Sequence, residues 1–344
     1  MSCSACTTME PIEDQGAVRI KPLRSLLRVL LEGSELPCQI ESNSILVHYE
    51  TKEQLLSLLQ LISRLPDLYM KQLSISFIGK DRTASRTQQW MPLSHFEARL
   101  ENPNLVHIIC ESKFTSHMQP IVSSNKDVIG YEFLLRPSPG GTSFHPLNLF
   151  EVARETGLHS FLDRASRISA IETSAQYLPR GVKRFINFLP SSIYNPEHCL
   201  SHTFEAIQRL ELDAADFVFE VVETERVDDV DHLLRIFDAY RSEGMAVALD
   251  DVGSGYATLE MMKKLQPDYV KIDRSLVDGC DHRSDNQRKI LTILEEAELF
   301  GAKVLAEGVE RLEEFEFCRS AGVDLAQGYL FGKPMPTPLR SIAI

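Results

Sequence analysis

Two adjacent carboxylates, Asp250 and Asp251, follow an apolar segment running from Met245 to Leu249 and precede a turn with glycines at 253 and 255. Paired acids at the end of a strand are suited to holding a metal ion. Successive strand side chains point to opposite faces, so both aspartates serve one site only if the strand ends between them and the backbone turns, which Gly253 and Gly255 permit. Polar residues recur at or near the ends of other apolar segments: Glu132, Asn187, Glu220, Lys271, Asp273, Glu307 and Gln327. Two like charges about 4 Å apart, at an effective dielectric near 20, repel by roughly 4 kcal/mol, so Glu132, Glu220, Asp250, Asp251 and Glu307 cannot converge ionised without compensation. Oxygen ligands with no convergent His or Cys favour a hard cation such as Mg2+ or Mn2+ over a closed zinc site. Lys271, if it points inward, would orient or help deprotonate an attacking water, and two cations sharing a carboxylate would suit phosphodiester hydrolysis. Taken singly, each residue has a plainer reading as a helix cap, an ion-pair partner or a solvated charge, and for Asp273 and Gln327 the plainer reading is the stronger. Asn187 alone could mark a strand end, and Glu223 and Glu225 could be solvated loop charges. Recurrence at one place in a repeating unit overrides these single-site readings.

The elements that must position these residues form a regular alternation. From about Lys113 onward, strand patterns fall at 118–122, 128–135, 184–189, 217–222, 246–249, 269–272, 303–306 and 325–331. Helical patterns lie between most of them, at 147–156, 161–177, 203–210, 230–243, 287–300 and 312–321. Eight strands over about 230 residues predict an α/β fold of the (β/α)8 TIM-barrel type, whose enzymes place catalytic groups at the C-terminal ends of the strands. A doubly wound sheet is the rival, but no Gly-x-Gly-x-x-Gly turn follows any strand.

Ahead of the barrel, a leucine stripe at 21–32 stopped by Gly33, a strand at 45–49, a helix at 52–65 and a strand at 73–78 predict a small α/β module. The polar stretch 79–89 reads as a loop or linker and 92–100 as a short helix, which sets the expected domains at 1–104 and 105–344. The 344 residues, 43% of them hydrophobic, suffice for a substantial core. A net charge of -13 argues against a nucleic-acid polymer as partner. No apolar run approaches the roughly 20 residues of a transmembrane segment and no leader pattern opens the chain, so a cytoplasmic protein is expected. Seven scattered cysteines fit reduced thiols. Cys3 and Cys6 are spaced as half of a zinc site that Cys38 and His48 could complete, or belong to an unliganded tail.

From about Phe114 to Pro336, about two thirds of its length, the chain resembles the EAL-domain phosphodiesterases, which hydrolyse the bacterial second messenger cyclic di-GMP. Tyr131-Glu132-Phe133-Leu134-Leu135-Arg136 stands at the Glu-Ala-Leu signature, and Phe219-Glu220-Val221-Val222-Glu223 at the Glu-x-Thr-Glu segment. Asp250 to Tyr256, Pro267 to Asp273, Ala306 to Glu310, and Gln327 to Pro334 follow in order. The resemblance implies a barrel whose first strand is antiparallel to the rest, two Mg2+ or Mn2+ ions, and conversion of cyclic di-GMP to linear pGpG. Glu132, Asn187, Glu220, Asp250, Asp251 and Glu307 look like the metal ligands, with Asp250 as the bridge. Glu132, Lys271 and Glu307 are the implied catalytic residues, with Lys271 positioning the attacking water. Arg136, on the same strand face as Glu132, looks like a substrate-phosphate contact, with Asp273 and Gln327 as further substrate-binding positions. Glu223 resembles the glutamate controlling the loop after the fifth strand, a loop used in homodimer formation and metal-site control. Phe133 in place of the signature alanine should point into the helical layer and alter packing only. Val222 in place of threonine would loosen control of the nearby loop. Degenerate members of the family serve instead as non-catalytic cyclic di-GMP receptors or protein-interaction modules.

Overall fold

The computed structural model describes residues 11–79, 89–221, 229–253 and 258–339. The expectations for Cys3, Cys6, Val222, Glu223, Glu225, Gly255 and Tyr256 therefore lie outside the described residues. Contacts divide the chain into two compact units, one of Met1–Lys113 with Gly140–Leu162 and the other of Phe114–Pro139 with Asp163–Ile344.

In the first unit, strands β1 (Gly16–Lys21), β2 (Cys38–Ile40), β3 (Ile45–Tyr49), β4 (Ser74–Gly79) and β5 (Met91–Pro92) form one sheet in the order β2-β3-β1-β4-β5. The stripe expected at 21–32 is a helix only over Ser25–Glu32, because the preceding Gly16–Lys21 is the sheet's central strand, paired with both β3 and β4. Helix Lys52–Ile62 buries Leu55, Leu58 and Ile62, and its start is capped by Thr51, whose side chain accepts the Gln54 N–H. Cys38 pairs directly with Val47, so it shares that residue's face while the adjacent His48 points to the other. These two cannot complete a single zinc site, which corrects that expectation.

The second unit contains the expected (β/α)8 barrel. Its strands are β6 (Phe114–Ser123), β7 (Val128–Pro137), β8 (Lys183–Phe188), β9 (Phe217–Val221), β10 (Ala246–Val252), β11 (Tyr269–Ile272), β12 (Lys303–Ala306) and β13 (Leu325–Gln327). They close in the order β10-β11-β12-β13-β6-β7-β8-β9. β6 runs antiparallel to both neighbours, and all other pairs are parallel. The eighth strand is shorter than the expected 325–331. Gly328 packs so closely that a Cβ there would lie 2.0 Å from the Val309 carbonyl oxygen, and the chain turns after Gln327.

Alternation sorts the strand residues into an inner and an outer face. Outward residues such as Phe133, Ile186, Phe219 and Val247 join helix residues such as Ala170, Ile171, Ile236 and Phe237 in the main core, so Phe133 packs toward the helical layer as expected. Inward residues Ile121, Phe185, Val218, Ala248, Tyr269, Leu305 and Leu325 fill the barrel floor. At the N-terminal ends, the aspartates just before β9, β11 and β13 tie down the chain beside them. Asp216 accepts the Gly181 N–H, Asp268 the Val247 N–H and Asp324 the Val304 N–H, at 2.8–2.9 Å. This rigid floor fixes the height at which the next inward residue of each strand emerges.

Candidate active site

Two residues past the inward apolar layer, the polar residues appear: Asn187 after Phe185, Glu220 after Val218, Asp250 after Ala248, Lys271 after Tyr269, Glu307 after Leu305 and Gln327 after Leu325. Glu132 joins them from β7. The strand period of two turns them all inward, and the parallel register sets them at the C-terminal mouth.

Lys271 is the hub. Its side chain is fully buried, and its Nζ lies 2.7 Å from Glu307 Oε1, 3.0 Å from Glu220 Oε2, 3.0 Å from Asp250 Oδ1 and 4.0 Å from Glu132 Oε1. Burial disfavours its ammonium form, but Asp250, Glu132, Glu220 and Glu307 more than offset this and hold its pKa well above the usual lysine value. The carboxylates feel the opposite pressure. Burial raises the Glu220 pKa well above the ordinary glutamate range, with Glu132 and Asp250 adding to the shift against the pull of Lys271. Glu307 is raised by burial and by Asp250 in the same way. Among the described residues one ammonium faces four acids, which is not enough positive charge to balance them.

Glu132 is held from both sides, by Asn187 Nδ2 at 2.8 Å and by Gln327 Nε2 at 2.6 Å. Two buried oxygens, Glu220 Oε1 and Gln327 Oε1, have no hydrogen-bond partner. Asp250, Asp251 and Glu307 bring ligand oxygens within 4.8 Å of one another. An all-oxygen set with buried orphan acceptors, already converged on a cationic group, fits a hard divalent cation.

The expectation that the strand ends between the paired aspartates is corrected by the geometry. β10 continues to Val252, and its register with β11 jumps from Leu249–Val270 to Val252–Ile272, so Asp250 and Asp251 together oppose Lys271. Asp251 adopts φ 54°, a left-handed conformation that Asp tolerates better than most residues, and the resulting bulge brings adjacent side chains to one site. Gly253, at φ 103°, then turns the chain away.

The remaining expected positions lie at the rim. Arg136, half-buried, donates from Nη1 to the Leu135 carbonyl at 2.7 Å. Asp273 caps the helical turn Arg274–Val277, accepting the Ser275 N–H at 2.9 Å. Gln119 is a residue the sequence reading missed. It is buried on β6, directly paired with Glu132, and donates to the Gly332 carbonyl. Because β6 is antiparallel, its N-terminal side reaches the mouth, and alternation within 118–122 would have found it once that direction was known. Glu314 was missed as well. Its buried carboxylate accepts the N–H groups of Gly279, Glu310 and Arg311, tying the chain after β11 to the segment after Glu307.

A family model for the EAL domain matches residues 105–334. The chain is similar to the probable cyclic di-GMP phosphodiesterase PdeB of Escherichia coli (strain K12), with 30% identity over 223 residues, which are 64% of this chain and 42% of that protein. It thus spans less than half the length of that curated relative. Among solved structures it resembles a standalone EAL protein from Vibrio cholerae O395 in its c-di-GMP bound form, at 35% identity and a TM-score of 0.60, over 67% of this chain and 95% of that one. A likeness of fold alone, at 22% identity and a TM-score of 0.60, extends over 95% of this chain and 98% of BlrP1 from Klebsiella pneumoniae.

Proposed function

Because the chain belongs to the EAL-domain family, we propose that it is a phosphodiesterase that hydrolyses cyclic di-GMP to linear pGpG in a divalent-cation-dependent step. The observation that carries this reading is the convergence of Glu132, Glu220, Asp250 and Glu307 on the single buried ammonium of Lys271. With Asp251, five carboxylates against one lysine leave a formal charge of -4, which two Mg2+ or Mn2+ ions would balance. Glu132, Asn187, Glu220, Asp250, Asp251 and Glu307 would hold these ions, with Asp250 between them. Bound there, the cations would stabilise charge on the phosphate and lower the pKa of the attacking water.

The chain's own groups supply the rest. Lys271 orients the water, while Glu132, fixed by Asn187 and Gln327, and Glu307 hold the reacting groups in place. Arg136 and Asp273 stand at the rim to meet the substrate, and Gln327 reaches it through the face it shares with Glu132. Water adds to one phosphorus, the bond to the 3′ oxygen breaks, and the proton passes to that leaving oxygen. The ring thereby opens to a 5′-phosphate. Glu223 would control the neighbouring loop within a homodimer. The free cysteines of the described residues fit a reducing, cytoplasmic setting, and no described helix is long and apolar enough to cross a membrane.

A turnover assay with Mg2+ or Mn2+ tests the proposal. Formation of pGpG that stops on chelation supports it. Nucleotide binding with no pGpG formed would establish a receptor instead.

A further inference from the structure

β8 ends at Phe188, and from Leu189 onward no strand partner holds the chain, yet Asn187 must keep its amide turned to Glu132. The next polar contact below this point is Asp163, on the helix His159–Tyr177. Asp163 is 2% exposed. Its Oδ1 accepts the Leu189 N–H at 2.8 Å, and its Oδ2 accepts the Ser192 hydroxyl together with Nε and Nη2 of Arg167 at 3.2 and 3.0 Å. Arg167 is equally buried and donates to the Thr203 hydroxyl.

A charge pair taken out of water is a weak source of net stability, because desolvating both ions offsets their attraction, and an apolar pair of similar volume often holds a core as well. An apolar pair has no acceptor for the Leu189 N–H. Both oxygens of the carboxylate are also engaged, one by Arg167 and Ser192 and the other by the backbone. We propose that Asp163 is a positioning residue for the metal site: held by Arg167, it clamps the chain two residues past Asn187 and so sets where that amide presents itself to a cation. This rests on the assignment of Asn187 as a cation ligand. Asp163 touches no substrate and acts only through Leu189 and Ser192.

The test compares the whole native chain with an Asp163→Leu/Arg167→Met double variant, with Ser192→Ala and with Asp163→Asn. Two quantities are read: backbone hydrogen exchange across residues 187–193, and Mn2+ binding without nucleotide, followed by the electron paramagnetic resonance of the free ion. The double variant should exchange faster at 187–193 with no change at 217–221 or 269–272, and should bind Mn2+ about tenfold more weakly, as loss of a supporting partner commonly does. Ser192→Ala deletes the hydroxyl that bridges Asp163 and the Leu189 carbonyl, while Asp163→Asn keeps an acceptor for the Leu189 N–H but removes the charge that Arg167 holds. Each should move both readings the same way by less, so the inference stays testable if the double variant does not fold. Native exchange and native Mn2+ affinity in the variants would overturn it. Faster exchange with unchanged affinity would overturn it too, since the clamp would then hold the chain without setting Asn187. A native chain that binds no Mn2+ would overturn the reading of the site and this inference with it, whereas variants that bind as well as a competent native chain would sink the inference alone.

Discussion

Lys271 and Glu132 carry opposite parts of the barrel's electrostatics. Among the described residues the lysine is the one positive charge amid the converging carboxylates, so Lys271→Met should destabilise the cation-free protein by about 3–5 kcal/mol, as removal of one partner from a buried charged group does. Urea titration measures this, and saturating Mn2+ should restore most of the loss while turnover stays abolished. Equal stability of variant and native protein without cations would overturn the role of Lys271 as the charge that compensates these carboxylates. Glu132 lies on the other side of this balance. Glu132→Ala removes a negative charge and frees the amides of Asn187 and Gln327, so the protein should remain folded by circular dichroism but lose Mn2+ binding and turnover. Retained turnover would overthrow the site assignment.

The bulge in β10 and the tight turn after β13 are the elements that shape the mouth. The bulge solves a problem inherent in strands: neighbours in sequence face apart, and only an extra residue in the ladder lets Asp250 and Asp251 act together. The turn after β13 depends on the missing side chain of Gly328, against which the Val309 backbone packs. Val309 also donates its N–H to the Gln327 carbonyl and accepts that of Leu330, so this contact registers the segment after Glu307 against β13. Gly328→Ala should cost roughly 1–3 kcal/mol by overpacking, read as a lowered urea midpoint, and should weaken cation binding because Glu307 and Gln327 move apart. An alanine variant of native stability would show that the backbone relaxes freely at this turn.

At the scale of the molecule, the units do not follow one cut in the sequence. Residues 140–162 group with the N-terminal residues: helix Pro146–Glu155 packs on helices Leu93–Glu101 and Pro103–Cys110, and the buried Arg99 donates to the Thr156 carbonyl at 2.9 Å. A fragment starting at residue 105 would strip Leu93–Glu101 from this packing and expose the face carrying Leu149, Val152 and Ala153. It should melt well below the intact chain by calorimetry. A fragment as stable as the whole would show that 140–162 is held without its N-terminal partners.

Local periodicity wrote much of this protein into its sequence. The barrel strands repeat an inward apolar residue followed two positions later by a polar one, so Asn187, Glu220, Asp250, Lys271, Glu307 and Gln327 were legible as one set before their distances were known. What depends on direction, register or distant packing was not. Gln119 reaches the mouth only because β6 runs antiparallel, and Asp251 only because the register shifts by one residue. Asp163 and Arg167, four apart on a helix, have the spacing of an ordinary surface ion pair, and only the fold buries them beneath Leu189. Alternation is a property of neighbours along the chain, and the sequence therefore determined which residues face inward. Where they meet depends on the closure of eight strands at fixed stagger, and only the tertiary structure decided that.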